Sequence, residues 1–124
     1  MGDVTVADRT EGEGAEQATV VALDGELDSG SAPTVQERLA ALVPPDGRVL
    51  VDLSAVPYMS SAGLRTMLLL YRNAQAVGTR LCLVGLSPEL RQMMEATGFL
   101  GYFPVHDTVE DGLRDLGATR GGGS

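Results

Sequence analysis

Val51-Asp52-Leu53-Ser54-Ala55-Val56-Pro57-Tyr58-Met59-Ser60-Ser61-Ala62-Gly63-Leu64-Arg65 carries the chain from a strand pattern into a helix pattern within fifteen residues. Its front end belongs to Arg48 to Leu53, where Val49, Leu50, Val51 and Leu53 crowd between a Pro44-Pro45-Asp46-Gly47 break and Pro57. An apolar run that short is a buried strand, here ending at a carboxylate, Asp52. From Leu64 onward, Leu64, Met67, Leu68 and Tyr71 recur at the i, i+3, i+4, i+7 spacing of one helix face, widened by Leu69 and Leu70, until Gly78. Ser60 and Ser61 sit at the turn between the two patterns, where a serine caps a helix and its hydroxyl reaches solvent.

Upstream, Val4 to Ala7 predicts a first strand, Thr10-Glu11-Gly12-Glu13-Gly14 a turn, and Ala18 to Leu23 an interior strand opening onto a polar rim at Asp24-Gly25-Glu26-Leu27-Asp28. A helix follows, with Pro33 near its start and Val35, Leu39, Leu42 and Val43 at helical spacing. Downstream, Arg80 to Val84 reads as a strand, and Ser87-Pro88-Glu89 places a cap, a first-turn proline and an acidic residue at the start of a helix over 88–97. Gly98 closes it, Tyr102 to Val105 predicts an edge strand, and Val109, Leu113 and Leu116 a last short helix. The expected fold is α/β: a mixed, mostly parallel sheet of four or five strands with an N-terminal antiparallel hairpin and four helices. Residues 1–117 form the expected domain, and 118–124, ending Gly-Gly-Gly-Ser, a flexible tail. In such folds chemistry gathers beyond the strand carboxyl ends, which puts residues 24–29, 54–61 and 86–87 on one rim.

Seventeen acidic against nine basic residues, all nine arginine, give a net charge of −8, and aromatic residues make up only 4%. Neither a phosphate-neutralising surface nor a base-stacking platform follows, so direct nucleic-acid binding is not expected. No apolar run approaches the about 18 residues of a membrane span, and the first residues lack a basic region and a signal-peptide core, which predicts a cytoplasmic protein without membrane insertion. The single cysteine, Cys82, lies in the run Leu81-Cys82-Leu83-Val84, as a buried, inert thiol does.

The stretch from Val51 to Arg65 resembles the phosphorylation segment of STAS-domain anti-sigma-factor antagonists. Gly25-Glu26-Leu27-Asp28, Val84-Gly85-Leu86-Ser87-Pro88-Glu89 and Phe103-Pro104-Val105-His106-Asp107-Thr108 follow the family's order, so that the resemblance covers residues 4 to 117. It implies a non-enzymatic regulator that binds an anti-sigma factor, itself a serine kinase, and frees the sigma factor. Phosphorylation then switches it off, and a serine phosphatase is the further partner. Alignment on Gly63-Leu64 assigns the phosphoacceptor to Ser61. Ser60, where many members carry aspartate, is the alternate. Asp28, Tyr58, Met59, Ser60, Ser61, Ala62, Gly63 and Leu64 are the expected partner-binding residues. The same fold admits an alternative role, as a scaffold of a stressosome-like assembly or an accessory subunit of a lipid transporter.

Physical chemistry supplies its own reading of these positions. Unpaired N–H groups at the helix start can receive a phosphate, with Ala62 and Gly63 keeping the approach open. Asp28 is by default a turn or cap residue, Asp52 a strand-end acceptor, and Met93 and Met94 core filler. An esterase with Ser61 as nucleophile lacks a general base, since His106, the only histidine, follows the last strand pattern. No zinc set, calcium loop or phosphate-loop lysine is present, so neither metal nor cofactor is expected.

Overall fold

Strands β2 (Ala18–Asp24), β3 (Arg48–Ala55) and β4 (Arg80–Val84) form the centre of a five-stranded sheet in the computed structural model, which describes residues 4–12 and 14–117. β1 (Thr5–Glu11) pairs antiparallel with β2, from Thr5↔Asp24 to Glu11↔Ala18. The β2–β3, β3–β4 and β4–β5 pairs are parallel, with β5 (Val105–His106) at the far edge. The spatial order is β1-β2-β3-β4-β5. Four helices complete the fold: α1 (Ala32–Ala41), α2 (Ser61–Ala76), α3 (Pro88–Ala96) and α4 (Val109–Leu116). The expected class, mixed sheet, hairpin and helix number are those observed.

Alternate residues of each central strand point to opposite faces, and two apolar clusters result. On one face Val21, Leu23, Val49, Val51, Leu53, Leu81 and Leu83 meet Val35 and Leu39 of α1, Met67 and Leu70 of α2, and Leu90 and Met94 of α3. On the other, Ala18, Val20, Leu50, Cys82 and Val84 meet Leu113 and Leu116 of α4. Burial on both faces explains why these strands read as continuous apolar runs rather than as alternating ones. Met94 is core filler and Cys82 is fully buried, its thiol pushed up to about 12 by desolvation, so the cysteine is inert.

Several boundaries move, each for a physical reason. β1 extends to Glu11 because β2 supplies a ladder partner that far, and the turn tightens to the residues around a 3₁₀ segment, Gly14–Glu16. α1 stops at Ala41. Leu42 and Val43 still pack on the core, but from the segment beyond the helix, which is why they fit the helical spacing without being helical. The expected strand over 102–105 is the largest correction. Gly98, at φ +80°, closes α3, Phe99–Tyr102 forms a 3₁₀ turn, and pairing is confined to Val105 and His106. Pro104 has no N–H to give the ladder, and Phe103 donates its own to Leu100 O at 3.3 Å. The segment is held by its rings, with Tyr71 lying 5.5 Å from Tyr102 and 5.6 Å from Phe103 between centroids, and by Pro104 O, which accepts from Leu83 N–H of β4 at 2.9 Å. Residues 118–124, expected to form a tail, lie outside the described residues.

Candidate functional site

Leaving β3, the chain turns at Val56, whose N–H donates to Leu53 O at 3.0 Å. Val56 and Met59 are buried at 1% and 0% exposure and anchor the loop, leaving Tyr58 between them half exposed at 51%. This loop is pinned to the loop after β2. Leu27 N–H donates to Tyr58 O at 3.0 Å, Ser60 N–H donates to Leu27 O at 2.8 Å, and Gly25 N–H donates to Ala55 O at 3.1 Å. Leu27 and Met59 thus form a parallel bridge beyond the ends of their strands. The rim expected from strand-end geometry is here a hydrogen-bonded unit rather than two separate loops.

Gly63 makes the closeness possible. A Cβ there would stand 2.5 Å from Met59 Cγ, 2.6 Å from Leu27 O and 2.9 Å from Leu27 Cγ. Its missing side chain therefore serves the packing of α2 against the two loops, not access to Ser61 as the residue pattern suggested. The residues expected to bind a partner divide accordingly. Met59, Gly63 and Leu64 are buried and hold the rim from beneath, whereas Tyr58 and Ser61 are exposed and Asp28, Ser60 and Ala62 half-buried.

The two serines differ in what their hydroxyls do. Ser60 is the N-cap of α2, with extended backbone (φ −84°, ψ 179°), and its Oγ accepts from Ala62 N–H at 3.2 Å and Gly63 N–H at 3.4 Å. Those N–H groups, expected to wait for a phosphate, are already taken. Ser61 opens the helix proper and is exposed. Substituting the cap should tell them apart. Ser60→Ala is expected to lower unfolding stability by about 1 kcal/mol in urea titration. Ser61→Ala should stay within about 0.5 kcal/mol of the parent.

Asp28 is a turn residue that prepares α1. Its Oδ1 accepts from Gly30 N–H at 2.9 Å and Ser31 N–H at 3.1 Å, and its carbonyl accepts from Ala32 N–H at 2.8 Å. Buried Ser31 is fixed in turn, its hydroxyl donating to Glu26 O at 2.9 Å. The Ser31 backbone hydrogen bond leads the effects that hold the Asp28 carboxyl below its usual range. Asp52 is a strand-end acceptor, with Oδ1 engaged by Ser54 Oγ at 2.7 Å and Ser54 N–H at 3.0 Å. His106 pairs through Nε2 with Asp115 Oδ2 at 3.1 Å and so ties β5 to α4. Among the described residues no group of three or more His, Cys, Asp or Glu side chains is placed to hold a metal. Two features went unread in the residue pattern. Leu27 is the splice between the loops, detectable only once β2 and β3 are known to be neighbours, and Arg65 stands exposed one helical turn beyond Ser61.

Comparison with known proteins agrees with this architecture. The STAS domain family matches residues 9–112. A protein of Bordetella bronchiseptica assigned as an anti-sigma factor antagonist, BtrV, is 38% identical over 92 residues, covering 73% of this chain and 79% of that one. The anti-sigma-B factor antagonist of Bacillus subtilis is 29% identical over 94 residues, covering 76% of this chain and 86% of its own. A crystal structure of an anti-sigma factor antagonist from Mycobacterium paratuberculosis superposes with a TM-score of 0.70 at 26% identity, covering 90% of this chain and 94% of that one. With the family matched over residues 9–112 and a 38% identical relative covered over 79% of its length, the chain belongs to the STAS-domain family of anti-sigma factor antagonists.

Proposed function

We propose that this protein is a cytoplasmic partner switch whose unmodified form binds an anti-sigma factor with serine-kinase activity and thereby releases the sigma factor. Phosphorylation of Ser61 reverses the binding, and a serine phosphatase restores it. The observation that carries the reading is the contrast between neighbouring hydroxyls. Ser60 Oγ is spent on capping α2, while Ser61 is exposed at its first position, on a rim braced by the Leu27–Met59 bridge. Exposed Tyr58 on the same loop supplies an aromatic contact of the kind that dominates protein interfaces. Asp28 acts at this rim by shaping the adjoining turn.

The relatives' names support the partner class, since both carry the description of anti-sigma factor antagonists. Among the described residues no helix is long and apolar enough to cross a membrane. Incubation with candidate serine-kinase anti-sigma factors and ATP, followed by mass-spectrometric mapping, tests the reading. Phosphate is expected on Ser61 and absent from the Ser61→Ala protein. Exclusive labelling of Ser60 would overturn the assignment.

A further inference from the structure

A phosphate on Ser61 would arrive where the next two N–H groups of the helix are occupied. Ala62 and Gly63 N–H groups donate to Ser60 Oγ, so the new charge has to find its counter-ion elsewhere. Arg65 lies four residues on, one turn along the same face of α2, where side chains are neighbours at about 5–6 Å between Cβ atoms. It is exposed, and among the described residues it makes no ion pair or side-chain hydrogen bond. No carboxylate competes for it within the helix. Its neighbours three and four positions away are Ser61, Ala62, Leu68 and Leu69, and α2 carries no acidic residue over Ser61–Ala76. The order also suits the helix, with the anion toward the N-terminus and the cation one turn later.

We infer that Arg65 is the intramolecular counter-ion of phosphoserine 61, a positioning residue that holds the phosphate against α2. The inference rests on Ser61 being the modified serine. The unmodified helix presents a free guanidinium beside a hydroxyl. The modified helix presents a phosphate clamped by that guanidinium, which offers two N–H groups to two phosphate oxygens. Partner proteins thus meet two differently charged surfaces without any rearrangement of the Ser60 cap.

Phosphoserine built into position 61 by suppressor-tRNA expression permits a test independent of any kinase. The second ionisation of the phosphate is followed by phosphorus NMR titration at low salt, in the parent and in Arg65→Gln and Arg65→Lys. The Gln variant is expected to titrate higher than the parent by about 0.3 unit or more. The Lys variant, which keeps the charge but not the paired N–H groups, should fall between the two, and the difference between parent and Gln variant should shrink near 1 M salt. Coincident titrations in the parent and the Gln variant would overturn the clamp. A kinase that ignores Ser61 would overturn the switch while leaving this titration unaffected, so the two failures are distinguishable.

Discussion

Ser61→Asp is expected to weaken binding to the cognate anti-sigma factor by at least about tenfold, a loss of about 1.4 kcal/mol or more, while Ser61→Ala keeps the parent affinity. The expectation follows from exposure and position. Ser61 is accessible at the edge of the hydrogen-bonded rim, and under the proposed function a docked partner covers it and strips its water. A hydroxyl tolerates that change because it can donate to the partner. A carboxylate placed there pays a desolvation cost that the one exposed guanidinium of Arg65 offsets only in part, and a phosphate with about −1.5 to −2 charges pays more. Long-range repulsion is the lesser contribution, since one further negative charge on a chain already at −8 alters the distant field little. The loss should therefore persist when calorimetric titration is repeated at high salt. A difference that vanishes in about 0.5 M salt would mean that screened repulsion, not burial, is responsible.

Gly63→Val is expected to produce the largest loss of stability of any single change at the rim, about 3 kcal/mol or more by urea unfolding, with Gly63→Ala losing about 1–3 kcal/mol. Two effects oppose each other at this position. Replacing a helical glycine by alanine gains about 1 kcal/mol of intrinsic propensity. Against that, the added Cβ would meet Leu27 O at 2.6 Å, and this oxygen is fixed by its hydrogen bond from Ser60 N–H. A backbone atom in a hydrogen-bonded bridge cannot yield as a side-chain end can, so the collision outweighs the propensity. Valine adds two methyl groups to the same crowded space beside Met59. An unfolding midpoint unchanged or raised by the alanine substitution would show that the loops part at little cost. Because the bridge carries the segment that ends in Ser60 and Ser61, either variant should also lose partner binding.

The residues that were readable in advance are those whose neighbours lie close in the chain. Pro33, Ser87 and Pro88 mark helix starts through local hydrogen bonding and fixed φ, and α1 and α3 begin beside them. The strand reading of Arg48 onward holds because an apolar run between two proline breaks has no other short solution. The expected edge strand over 102–105 failed because the rings of Tyr71, Tyr102 and Phe103 pack together across 31 residues of chain, and that contact outcompetes local strand preference. Val43 misled for a similar reason. It is drawn to the core by packing, so its spacing imitates a helix that has already ended.

Order along the chain was enough to establish the α/β class, the antiparallel start of the sheet, and a serine pair at the entry to α2, since periodicity and capping chemistry act within a few residues. Which serine caps and which stands free was decided only when α2 settled against the loops. The Ser60 hydroxyl turns onto the first N–H groups of the helix, while its backbone N–H is claimed by Leu27 from a strand away. The same is true of Gly63, whose lack of a side chain has no visible purpose until Leu27 and Met59 are brought against it. Contacts between segments more than 30 residues apart leave no periodic trace in either segment, and they are what make one hydroxyl structural and its neighbour available.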